Sequence, residues 1–285
     1  MNHVKRVAEL IDEDVVESRE VAQGQVGIVL WIKSASGREL VAKFNGEHNE
    51  NLLIEARMLD DLFALPDIPS PEVLARSSDC LIMPYVPSHP GRVSESAEAH
   101  AARCVAKLHA HSPEDGRYGY SYDTLIGGLD QPNPWEEDWI TFFSQHRLVR
   151  MGRQCMEKGR FGEDVMQKID ALADRLGDLI PEPREAGLVH GDLWGGNILW
   201  GEETVAAFID PALCYADPEA ELAFSTMFHT FTPRFYEIYG EYRPLSEDFW
   251  EVRKPLYNLY PLLVHVMIYG GGYQAEVEQT LARFS

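Results

Sequence analysis

The sequence predicts an α+β chain in two lobes, a β-rich N-terminal lobe followed by a mainly α-helical C-terminal one. Three observations support this. Short β-branched and aromatic runs alternate with turn signals through the first third, the stretch Pro84-Tyr85-Val86-Pro87 interrupts them, and beyond it apolar residues recur at helical spacing. At 285 residues the chain is long enough to bury a sizeable core.

Taken in order, Val26 to Lys33 and Glu39 to Phe44 read as strands joined by the turn Ser34-Ala35-Ser36-Gly37. From about Asn49, Leu52, Leu53, Ala56, Leu59, Leu62 and Phe63 follow a helical period, which the proline-rich stretch Pro66 to Pro71 ends. Cys80 to Val86 is a further strand. The polar stretch after it, through Ser94, reads as a linker and sets the expected lobe boundary near Pro87, giving lobes 1–86 and 87–285. In the second lobe, Ala97 to His111 and Pro134 to Met151 have helical patterns. Leu188 to His190, Asn197 to Trp200 and Val205 to Asp210 are short strands, and the remainder is mostly helical.

Hydrophobic residues make up 45% and charged residues 25%, a globular rather than a disordered balance. The net charge of −21 opposes any broad contact with nucleic acid or an anionic membrane, so neither is expected as a partner. A cationic second substrate fits that acidity, although solubility or a saline habitat explains the same charge without any function and is the preferred reading. Met1 to Arg19 lacks the apolar run of a secretory signal and no apolar run approaches a membrane span, so a cytoplasmic protein is expected, as a monomer or weak dimer. Cys80, Cys104, Cys155 and Cys214 form no C-x-x-C pair and read as buried reduced thiols.

The most informative segment is Leu188-Val189-His190-Gly191-Asp192-Leu193-Trp194-Gly195-Gly196-Asn197-Ile198-Leu199, a strand leading into a glycine-containing loop. Phosphoryl transfer needs a carboxylate to orient the attacking hydroxyl and take its proton, and oxygen ligands for Mg²⁺. Asp192 and Asn197 supply the first two of these groups. Asp210, delivered at the end of the apolar run Val205 to Ile209, supplies a carboxylate that can reach a metal on the nucleotide phosphates. Each alone could be a turn-capping residue, but the ordered triple points to chemistry.

Upstream, Val41-Ala42-Lys43 places a lysine on a strand, and Glu55 in the next helix can hold it against the α- and β-phosphates, with Glu47 and Glu50 as competitors. Gln23-Gly24-Gln25-Val26-Gly27 lies where a phosphate-covering loop belongs. Gly24 and Gly27 would let backbone N–H groups approach phosphate, although a tight turn without ligand explains them too. Leu81 to Val86 is the expected hinge, with main-chain groups near Met83 and Tyr85 facing an adenine edge.

These residues resemble the fructosamine kinases, or ketosamine kinases, relatives of the aminoglycoside phosphotransferases. The similarity extends over nearly the whole chain. It rests on His190 to Asn197, on Asp210-Pro211-Ala212, and on Gln131 to Leu148, with Gln131, Asn133, Trp135, Trp139, Phe142, Phe143, Arg147 and Leu148. It implies a protein-kinase-like fold with a nucleotide-binding lobe over 1–86 and a catalytic and substrate lobe over 87–285. It implies ATP and Mg²⁺ as cofactors, Asp192 as catalytic base, Asn197 and Asp210 as metal ligands, and Lys43 with Glu55 in the ATP site. The implied acceptor is a ketosamine, free or as a glycated-protein lysine adduct, phosphorylated on a sugar hydroxyl so that the adduct breaks down.

Trp194 would face the sugar, or else pack on the core. Asp217-Pro218-Glu219-Ala220-Glu221 matches an acidic motif of the family. Asp217 and Glu219 are therefore candidates on the substrate side, while Asp217 before Pro218 also reads as a helix N-cap. The family usually has Asp where Glu221 stands, and its usual glycine pattern is missing from Gln23 to Gly27. Lys158 to Phe161 and Gly270 to Tyr273 resemble family positions without an assigned chemistry. The rival readings are a kinase of the same fold acting on an aminoglycoside, choline or free sugar, and a catalytically silent nucleotide-binding protein.

Overall fold

The computed structural model describes residues 2–24, 27–45, 50–89, 91–183 and 185–285. The chain groups into two compact units, one made of Met1–Cys104 with Gly196–Pro211 and the other of Val105–Gly195 with Ala212–Ser285.

The first unit opens with α1 (His3–Ile11), capped by Asn2, whose side chain accepts from Lys5 N–H at 3.2 Å. Then come β1 (Val15–Gly24), β2 (Gly27–Ser34), β3 (Glu39–Phe44), α2 (Asn51–Phe63), β4 (Ala75–Arg76) and β5 (Cys80–Pro84). The strands form one antiparallel sheet in the order β1-β2-β3-β5-β4. Side chains alternate across a strand. Leu40, Ala42 and Phe44 of β3 therefore share one face with Leu30, Ile32, Cys80 and Ile82, against which Val7 of α1 packs. On the other face Val41 packs with Leu81 and Met83 under Leu52, Ala56 and Leu59 of α2. Lys43 has the same parity as Val41, which directs it to the α2 side.

The hairpin of β2 and β3 and the helix α2 lie where the sequence places them, while Val26 and Asn49 fall outside the described residues. Strand β1 goes beyond the expectation. Register shifts between Val15 and Glu17 and between Glu20 and Ala22 break its two-residue period. Val16 and Val21 lie on the exposed side of this edge strand, so no clean apolar alternation marks it.

Helix α3 (Glu95–Leu108) carries the chain onward. The second unit holds the hairpin β6 (Thr124–Ile126) and β7 (Leu129–Gln131), then α4 (Trp139–Thr141), a π-helical segment Phe142–Val149, α5 (Arg150–Glu157), α6 (Glu163–Asp174) and α7 (Leu176–Leu179). The helix expected from Pro134 starts only at Trp139. Glu136 instead exchanges backbone hydrogen bonds with Tyr118 at 2.9 Å, and the Asp138 side chain caps α4 through Thr141 N–H at 2.7 Å. After β8 (Gly187–Val189), the hairpin β9 (Ile198–Trp200) and β10 (Val205–Phe208) belongs to the first unit. β11 (Cys214–Ala216) then returns to pair with β8. The chain closes with α8 (Pro218–Ser225), α9 (Pro233–Tyr242), a π-helical turn Phe249–Arg253, α10 (Lys254–Tyr257), α11 (Leu259–Tyr269) and α12 (Tyr273–Arg283).

All four cysteines are free and buried, and burial pushes the Cys80 and Cys155 thiols up to about 12. No helix among the described residues is long and apolar enough to cross a membrane.

Candidate active site

In the first unit, the parity of β3 delivers Lys43 to Glu55. Lys43 Nζ donates to Glu55 Oε1 at 2.7 Å and also to Asp210 Oδ1. Lys43 and Glu55 are largely enclosed, at 16% and 13% exposure, while Asp210 is more open. Burial works against the charge of Lys43, but the Asp210 and Glu55 carboxylates outweigh it and raise the lysine above its ordinary value. Burial likewise raises Glu55, with Lys43 opposing and Asp210 reinforcing the shift. Of the competing acids, Glu47 lies outside the described residues.

Asn197 and Asp210 sit at the same end of one hairpin. Asn197 immediately precedes β9, Asp210 follows β10, and Ile209 N–H donates to Asn197 O at 3.0 Å. Asn197 is buried and Asp210 adopts φ of 55°, a left-handed conformation uncommon outside glycine. Strain of this kind persists where the surroundings enforce it. The two side chains bring an amide and a carboxylate oxygen, the hard donors that Mg²⁺ prefers, so the residues fit that ion.

Gly24 and Gly27 close the β1–β2 hairpin as directly opposed residues. Gly27 has φ of 136°, and a Cβ there would lie 1.8 Å from Phe44 O, so only glycine fits. The tip, Gln25 and Val26, lies outside the described residues. Met83 is buried opposite Val41 in the sheet, and Tyr85 N–H is already donated to Glu39 O at 2.9 Å.

In the second unit, the loop after β8 is held from behind. Ala212 N–H donates to His190 O at 2.7 Å, and a Cβ at Gly191, where φ is 82°, would meet Ala212 O at 2.1 Å. The Glu221 carboxylate accepts from His190 N–H at 3.2 Å and from Gly191 N–H at 2.5 Å. It also accepts from His109 Nε2 at 2.8 Å, while Nδ1 of the same ring takes the Tyr239 hydroxyl at 2.8 Å. A carboxylate can only accept, so Nε2 carries the proton and the Tyr239 O–H donates to Nδ1. Burial raises Glu221, yet the hydrogen bonds it accepts, from His109 Nε2 first and from Gly191 N–H as well, overcome it and leave the carboxyl below its ordinary value. Burial also raises the Tyr239 hydroxyl, which keeps it a donor. Asp192 follows this anchored backbone, half-buried, with its N–H directed to His190 Nδ1 at 3.4 Å.

Trp194 is 39% exposed, with its ring 5.8 Å from Phe228. Asp217 caps α8 through Glu219 N–H at 2.9 Å and is buried. Its other oxygen accepts from Tyr257 at 2.5 Å and from Arg253 at 3.2 Å. Glu219 accepts Ser246 N–H at 2.6 Å and lies 3.4 Å from Arg253. Burial raises both carboxyls. Sequence reasoning missed His109 and Tyr239, whose partners are remote along the chain. It also missed the work of Gln131, which donates to Ala212 O at 3.1 Å and accepts from Tyr260 at 2.8 Å behind the same loop.

The fructosamine kinase family model matches residues 3–284. A probable ketoamine kinase of Enterococcus faecium is 32% identical over 229 residues, covering 79% of this chain and 80% of that one. A crystal structure from Thermobifida fusca, provisionally named a fructosamine-3-kinase, superposes with a TM-score of 0.87 at 27% identity, covering 99% of this chain and 97% of that one. An aminoglycoside phosphotransferase at 17% identity gives 0.67 with 98% of each chain covered, a likeness of fold alone. The fold is therefore protein-kinase-like. With the family model matched almost end to end and a relative at 32% identity, the chain belongs to the fructosamine kinase family and is a small-molecule kinase, a phosphotransferase with an alcohol group as acceptor.

Proposed function

We propose that the protein transfers the γ-phosphoryl group of ATP to a sugar hydroxyl of a ketosamine, a fructosamine or ribulosamine adduct, in cytoplasmic deglycation repair. The observation that carries the nucleotide half is Lys43 held between Glu55, 12 positions away, and Asp210, 167 positions away. The acceptor half rests on the family membership.

In this reading residues 1–86 serve as the nucleotide-binding lobe and 87–285 as the catalytic and substrate lobe. Lys43 engages the α- and β-phosphates, backbone groups around Gly24 and Gly27 cover them, and main chain near Met83 and Tyr85 takes the adenine edge. Asn197 and Asp210 hold Mg²⁺, which when bound neutralises charge on the phosphates. Asp192 orients the acceptor hydroxyl and takes its proton as the new O–P bond forms and the bond to the departing ADP breaks. Trp194 offers a ring face to the sugar. Asp217 and Glu219 serve the acceptor side from behind, by fixing the start of α8 from which Glu221 grips the catalytic loop. The molecule works as a monomer or weak dimer, without nucleic acid or membrane.

The test is ATP consumption with Mg²⁺ on ribulosamine- and fructosamine-lysine beside kanamycin, choline and ribose, with Asp192→Asn as the blank. Preferential turnover of a ketosamine is expected, and turnover of the other acceptors alone would overturn the repair role. Asp192→Asn should lower kcat by at least about 10²-fold, the usual contribution of a general base, with nucleotide affinity retained.

A further inference from the structure

A contiguous run of partly exposed aromatic rings extends across the second unit from the catalytic loop. The Trp194 ring lies 5.8 Å from Phe228, which lies 5.3 Å from His265. His265 is in turn 4.8 Å from Tyr273 and 5.7 Å from Tyr269. Phe228 and Tyr269 are 37% and 56% exposed, like Trp194. Contiguous exposed rings of this kind mark binding surfaces.

The run is built, not incidental. Gly195 N–H donates to Thr230 Oγ1 at 3.2 Å, tying the turn that bears Phe228 to the loop that bears Asp192. Within that turn His229 adopts φ of 51°, backbone strain at a non-glycine residue. At the far end, Arg160 Nη2 donates to Met267 O at 3.2 Å in the last turn of α11. Gly270 follows with φ of 67°, where a Cβ would lie 2.9 Å from Arg160 Nη1. The two segments that the sequence left without chemistry, Lys158 to Phe161 and Gly270 to Tyr273, thus meet to fix the turn between Tyr269 and Tyr273. His265 Nδ1 donates to Pro261 O at 2.7 Å, which leaves Nε2 as the ring's acceptor in its neutral form.

We infer that Trp194, Phe228, His265, Tyr269 and Tyr273 form an acceptor subsite for an organic ammonium, the amine-borne part of the substrate. The inference rests on the ketosamine reading and extends it from the sugar to the amine. Ring faces attract an ammonium through their quadrupoles, His265 Nε2 accepts an N–H, and apolar substituents on the amine cover the outer rings. A sugar hydroxyl alone needs none of the rings beyond Trp194. The enzyme therefore selects among adducts of one sugar by the amine they carry.

The first test titrates the full chain with benzylammonium chloride and follows the probe by NMR. Tyr269→Ala and Phe228→Ala should each weaken binding about fivefold, as expected for loss of an exposed cation–π contact. Tyr242→Ala, another exposed aromatic outside the run, should bind as wild type. Equal binding by all four proteins overturns the subsite. The second test compares kcat/KM for ketosamines of one sugar made with benzylamine and with methylamine. The benzyl preference should fall about fivefold in Tyr269→Ala, through KM, and an unmoved ratio also overturns it. Should wild type turn over no ketosamine, the substrate reading fails, and the benzylammonium titration alone then decides the subsite.

Discussion

The two oxygens of Glu221 reach two successive backbone N–H groups of the loop after β8 as well as His109. In Glu221→Gln the amide nitrogen replaces one acceptor and faces a donor. The variant should lose about 1–3 kcal/mol in urea unfolding, the cost of leaving a buried donor unsatisfied, and should turn over more slowly. A carboxyl held below its ordinary value when folded contributes stability that is present above that value and lost as pH falls through the folded one. The stability gap between wild type and Glu221→Gln is therefore expected to be full above about pH 4.5 and to close below it. Asp217 and Glu219 are shifted the other way, but they titrate in both proteins and cancel from the difference. Gly191 is as constrained. Gly191→Ala meets both a positive φ and the Ala212 carbonyl, so a loss of about 1–3 kcal/mol is expected by the same measurement.

Among the elements, the start of α8 depends on largely buried charges. Arg253, 5% exposed in its side chain, lies against Asp217 and Glu219. Arg253→Met would leave buried carboxylates uncompensated, at a cost of about 3–5 kcal/mol. Adding Asp217→Asn should recover part of that loss, and a double-mutant cycle in urea checks it. The sequence disclosed β3 and α2 because their apolar residues keep the periods of a strand and a helix. That parity also carried Lys43 to Glu55. It did not disclose β1, whose register shifts erase the period, nor the linkage of His109, Tyr239 and Glu221. His109 and Glu221 are 112 positions apart, and a buried polar residue leaves no periodic trace of its partner. Asp217 as a cap was legible from the proline after it. Its bonds to Tyr257 and Arg253 arise only when α8 packs against α10 and the π-helical turn before it.

At the scale of the molecule, the fold class was legible because it follows from the order of strand-like and helix-like segments, which the comparisons confirm. The grouping of Gly196–Pro211 with the N-terminal residues was not, since adjacency in space need not follow adjacency along the chain. The charge of −21 sets a further expectation. An acidic protein repels ATP and attracts a cationic acceptor, and salt screens both effects. Raising KCl from about 20 to 200 mM, across which the Debye length falls from about 20 to 7 Å, should lower the KM for ATP and raise that for a ketosamine. Parallel movement of the two constants would show that net charge plays no part in capture.

The burial of all four cysteines has a practical corollary. Thiol-directed dyes and spin labels react with exposed thiolates, and the folded chain offers them none of its own. A cysteine introduced at Tyr242 would be the sole reactive handle on the native protein, so fluorophores can be attached without first stripping its natural sulfurs.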